Sequence, residues 1–121
     1  MKYPFVFYVK NLPGKKHGKV NGPIIRILKT RKWDKPLLKH ELVHVKQFFR
    51  TLGIHGILYN ISKKYRYKCE LEAYRKQLDC YQNDAVIHNR EILFAGFIVE
   101  NYKLHKTYAE VYDDLVWRPD K

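Results

Sequence analysis

The sequence predicts an α+β fold, with a small N-terminal β-sheet packed on three to four helices. Three observations predict it. Two short runs of β-branched, aromatic and aliphatic residues, Phe5-Val6-Phe7-Tyr8-Val9 and Ile24-Ile25-Arg26-Ile27-Leu28, lie in the first thirty residues, bounded by Pro, Gly and Asn. Beyond Asp34, apolar residues recur at helical spacing through long stretches poor in Pro and Gly. Helix start and stop signals divide those stretches. At 121 residues, 45% of them apolar, the chain has the size and composition of one domain, 1–121.

The elements follow in order. Tyr3–Lys10 and Pro23–Thr30 read as strands, with turns at 11–18 and at Asn21-Gly22-Pro23, so two or three short strands make the sheet. Asp34 or Lys35 caps a helix with Pro36 in its first turn, where a missing N–H is harmless. That helix runs to about Leu52, with Gly53 as its C′ residue. Its core stripe is Leu38, Leu42, Val45, Phe49 and Leu52. The segment 57–62 fits a short strand, a helical turn or a loop. Residues 62–83 contain neither Pro nor Gly and include strong helix formers from Lys68 to Leu78. Asn83-Asp84 starts a further helix to about Tyr102, buried through Ile87, Leu93, Phe94, Phe97 and Ile98; Gly96 weakens it without breaking it. Thr107 and Glu110 have the spacing of a capping box for a last helix through Trp117, before Pro119.

Composition narrows the functions. Phe5–Val9 is too short for a signal-peptide core, and no stretch is long and apolar enough to span a bilayer, so a cytoplasmic protein without a membrane role is expected. Cys69 and Cys80 are expected on one helix, about 16 Å apart, out of disulfide reach, as two reduced and buried thiols. The net charge is +12, and residues 1–40 carry eleven Lys/Arg against Asp34 alone. That bias invites acidic partners: nucleic acid, an anionic surface or an acidic substrate. No nucleic-acid motif accompanies it.

The chemistry-bearing stretch is His40-Glu41-Leu42-Val43-His44. Two histidines four apart stand on one helix face, so both imidazoles can reach one ion from one rod. Glu41, about a quarter-turn away, is placed to touch a metal-bound water. This is the H-E-x-x-H arrangement, in which the glutamate serves as general base on water polarised by Zn²⁺. Catalytic zinc needs three protein ligands and an open position. The next helix offers Glu70 and Glu72. Ala73 marks a close helix–helix approach; Glu70 shares its face with Tyr74 and Gln77, whereas Glu72 lies nearly opposite and should point elsewhere. Glu70 is therefore the expected third ligand, with Glu72 the alternative.

His40–His44 followed by Glu70-Leu71-Glu72-Ala73 resembles the gluzincin metallopeptidases, and in size and element order the chain is similar to the single-domain minigluzincins. The resemblance covers roughly residues 23–80. It implies a zincin-like fold with an active-site helix and a glutamate helix. It also implies one zinc ion on His40, His44 and Glu70, and peptide hydrolysis with Glu41 as general base. The strand Pro23–Thr30 would pair with an extended peptide or protein substrate. Many gluzincins carry Asp after the Ala to buttress a histidine ligand; Tyr74 stands there, so another group must orient the imidazoles. Tyr74, His55 and His105 are candidate oxyanion donors. A monomer is expected. The alternatives are a silent or latent zinc protein whose Asp113, Asp114 or Asp120 covers the metal, and a basic nucleic-acid-associated protein.

Overall fold

A computed structural model describes residues 5–14, 16–102 and 106–117. It is an α+β arrangement of three strands and five helices among those residues. The strands are β1 (Val6–Val9), β2 (Gly18–Asn21) and β3 (Ile24–Leu28), in sheet order β1-β3-β2. β2 and β3 form a hairpin turned by Gly22-Pro23, with Gly22 at φ 59°, the positive value a two-residue turn of this kind needs at its first position. β1 adds parallel to the other side of β3. Gly18, expected in the preceding turn, instead opens β2.

Period-two alternation sets the faces of β3: Ile25 and Ile27 are buried, while Arg26 turns outward and donates to Asn21. The inner face packs on α1 (Lys35–Arg50) through Leu38, Leu42 and Val45. Burial of each large aliphatic contributes about 1.5–3 kcal/mol. Asp34 caps α1 by accepting from the Leu37 N–H, with Pro36 in the first turn as expected.

The far end of α1 departs from expectation. The helix stops at Arg50 and closes as a Schellman turn: Gly53 N–H bonds the Phe48 carbonyl and Leu52 N–H that of Phe49. Leu52, rather than Gly53, takes the left-handed C′ position at φ 54°. Leu52 therefore leaves the core stripe and is exposed; Phe49, still within α1, is exposed too, and Val43 and Gln47 are buried on this helix instead.

Residues 55–61 form the short helix α2 (His55–Ile61). α3 (Lys63–Leu78), capped by Ser62, is the shared wall of the fold. One side packs on α1, where Ala73 is fully buried; the other joins α4 (Asp84–Tyr102) and α5 (Tyr108–Val116) in a second core. That core is built on Tyr67, Leu71, Phe94, Ile98, Val111 and Leu115. Leu93 and Phe97, expected inside, are partly exposed, and Ala95 is buried in their place. Asn83 caps α4, and the Thr107–Glu110 capping box is present with both of its bonds. Cys80 falls beyond the end of α3 and is exposed; Cys69 is buried, and burial raises its thiol to about 11, which leaves it unreactive. Among the described residues no helix is long and apolar enough to cross a membrane.

Candidate metal centre

α1 and α3 cross where Ala73 leaves room for a close approach, and the side chains meeting there are His40, His44 and Glu70, all buried. The His44 Nε2 lies 3.2 Å from Glu70 Oε2, and the His40 Nε2 3.6 Å from Glu70 Oε1. The three residues offer ligand atoms within 4.8 Å of one another. Ligands about 2.0–2.1 Å from a tetrahedral zinc stand about 3.3 Å apart, so this donor set fits the ion without rearrangement of the helices. Two imidazole nitrogens and one carboxylate form a borderline-to-hard set suited to Zn²⁺. Glu41 borders the group, its Oε1 3.9 Å from His40 Nε2. The expected ligand set and general base are thus brought together.

The group that orients His44 is Gln47, one turn further along α1. Its amide Nε2 donates to the Cys69 carbonyl (3.1 Å) and to Glu72 Oε1 (2.9 Å). Both partners are acceptors, so the amide oxygen must face the other way, where His44 Nδ1 lies 2.9 Å from it. Nδ1 then donates, and Nε2 is the atom turned to the cluster. Glu72, expected to point elsewhere, holds this amide and pairs through both oxygens with Arg50. A polar residue three after a candidate ligand was the signal available for Gln47.

Tyr59 of α2 donates its hydroxyl to Glu70 Oε2 at 2.7 Å. His40 is held differently: its Nδ1 is buried with no hydrogen-bond partner among the described residues, and its ring packs edge-on against Tyr74, 4.4 Å between centroids. Of the expected oxyanion donors, Tyr74 has its ring between His40 and Phe94. His55 stands 6.4 Å from the His44 ring, with its Nδ1 against the Tyr65 hydroxyl. His105 lies outside the described residues.

Electrostatics bind the cluster together. Burial pulls the His44 imidazole down, but the Glu70 carboxylate outweighs it and raises the group to about 9. The same pairing acts on Glu70 from the other side: burial pushes it up, and the two imidazoles hold it well below the usual carboxylate range. Burial raises the Glu41 carboxyl, with His40 and His44 pulling against it. Without metal, His44 and Glu70 therefore form an imidazolium–carboxylate pair.

Two expectations about the surroundings are corrected. β3 is the middle strand, with both edges paired inside the sheet, so Pro23–Thr30 cannot take up a substrate strand. The edge strands are β1 and β2, and β2 packs against α1; a Cβ on Gly18 would stand 3.3 Å from the Glu41 side chain. Nor do α5 carboxylates cover the cluster. Asp114 accepts from Tyr67 and pairs with Lys106 at the solvent edge of the second core, Asp113 is exposed on the same helix, and Asp120 lies outside the described residues. Comparison of the chain with protein-family models, with curated proteins and with solved structures finds no match. The likeness to the gluzincins stands on the motif residues alone.

Proposed function

We propose that the chain is a zinc-dependent peptidase of the gluzincin type, with His40, His44 and Glu70 as ligands and Glu41 as general base. The observation that carries this reading is the convergence of three candidate ligand side chains from two crossing helices, with a second carboxylate, Glu41, alongside. Zn²⁺, held by His40, His44 and Glu70, would supply a Lewis acid for the scissile carbonyl and would lower the pKa of water toward neutrality. Glu41 is placed to hold the proton released from the attacking water and to deliver it to the leaving amine nitrogen. Its burial strengthens its hold on the proton, which suits a base that must later act as an acid. Gln47 keeps Nε2 of His44 turned inward, and Tyr59 fixes one Glu70 oxygen. The outer edge of β2 offers the extended backbone on which a peptide can pair beside Glu41. The lysines and arginines of residues 1–40 favour acidic segments in that peptide.

One observation favours a second reading, a latent or silent zinc protein of the same fold. Glu41 is only 6% exposed and Gly18 of β2 lies against it, which leaves the base little surface open to a substrate. The deciding experiment measures zinc content and cleavage of a peptide library by wild type and Glu41→Gln. Cleavage by wild type alone, with stoichiometric zinc in both, supports the peptidase. Zinc in both without cleavage supports the latent protein, and zinc in neither refutes both.

A further inference from the structure

We propose that the outer face of α2, together with Leu52 and Phe49 beside it, docks on an anionic phospholipid surface. The proposal is independent of the metal reading. On a helical wheel, Ile54, Ile57 and Ile61 fall within about 60° of one another, while His55 and Tyr59 lie on the opposite side. The inner side is fixed: Tyr59 bonds Glu70, His55 bonds Tyr65, and Arg66 donates to the Tyr59 and Asn60 carbonyls. The segment is therefore anchored, and its outer side chains project: Leu52 is 93% exposed and Ile61 75%.

Leu52 adds an independent observation. It occupies a left-handed backbone position that glycine fills without strain, yet its side chain buries almost nothing in this fold. Residues 42–69, the stretch that contains this aliphatic face, hold six Lys/Arg and no Asp or Glu, and Lys46, Lys63, Lys64 and Lys68 are exposed. Glu72, the nearest partly exposed carboxylate on α3, is already paired with Arg50.

This combination identifies the partner. A second copy would set one basic, acid-free segment against another. Nucleic acid gains nothing from isoleucine, since bases stack on aromatic or guanidinium planes. Protein interfaces draw their energy from Trp, Tyr and Arg anchors, with leucine under-represented. A bilayer accepts projecting aliphatic chains at the headgroup–acyl boundary while lysines meet the phosphates.

The test is co-sedimentation of the full chain with vesicles of phosphatidylglycerol and phosphatidylcholine, against phosphatidylcholine alone. Wild type should partition at least tenfold more strongly to the anionic vesicles, and Ile57→Ser/Ile61→Ser should lose at least tenfold with its fold retained. Leu52→Gly supplies a result that unfolding cannot mimic: a higher Tm together with weaker vesicle binding. Equal binding by wild type and Ile57→Ser/Ile61→Ser would assign the attraction to net charge alone and overturn the proposal. So would no preference for anionic vesicles, or a wild-type dimer that the double variant dissolves.

Discussion

Replacing Gln47 with leucine tests whether the orientation of His44, beyond its presence, sets the metal grip. The amide makes three bonds, and their loss has unequal consequences. Glu72 keeps Arg50 and is partly hydrated, and the Cys69 carbonyl remains inside α3. His44 Nδ1 is left buried with no acceptor, which costs about 2 kcal/mol, or about 8 °C in Tm for a chain of this length. Loss of a bond that orients a metal-ligating imidazole typically lowers affinity about 10- to 100-fold, equivalent to about 1.4–2.7 kcal/mol. A zinc titration against a chromophoric chelator, with thermal unfolding of the metal-free protein, measures the two effects separately. Zinc affinity within twofold of wild type, accompanied by the stability loss, would show Gln47 to be packing alone and refute the reasoning.

Gly18→Val should place branched carbons against Glu41, costing about 1–3 kcal/mol in the metal-free protein and lowering peptide cleavage at least tenfold with zinc stoichiometry intact; cleavage assays and elemental analysis check it. The His44–Glu70 pair predicts a pH response with a definite sign. The raised His44 group contributes its full stabilisation below the unfolded histidine value of about 6.5 and loses it as pH rises through about 9. The lowered Glu70 carboxyl contributes above about 4.3, and that contribution is lost only as pH falls through its depressed value. Metal-free Tm should therefore decline from about pH 6.5 to 9 while zinc affinity rises, with proton release seen by calorimetry in buffers of different ionisation enthalpy.

The parts of this molecule that could be read from its sequence are those written locally. Asp34 and Pro36 mark the start of α1, the two isoleucines alternate along β3, and Thr107 and Glu110 announce α5 through bonds spanning three residues. Glu70 was legible because Ala73 beside it requires a neighbouring helix. Gln47 was not, since nothing in the chain says that α3 will bring a carbonyl and a carboxylate to its amide. Leu52 fits the wheel of α1, but the backbone leaves the helix after Arg50 and turns left-handed at Leu52, carrying it away from the sheet; Phe49, on the last turn of α1, is exposed as well. The middle position of β3 was equally hidden, because strand order depends on which edges pair across long separations. Tyr59 lay in the one segment whose periodicity favoured no element.

Tyr74 stands with one side of its ring toward His40 and the other toward Phe94, at 4.4 and 4.8 Å between centroids. The C-terminal helices carry no candidate ligand, yet through Tyr74 they back the His40 imidazole, whose Nδ1 has no hydrogen-bond partner among the described residues. Trimming Phe94 would therefore loosen the proposed metal seat from behind, through Tyr74, from a helix that supplies none of its candidate ligands.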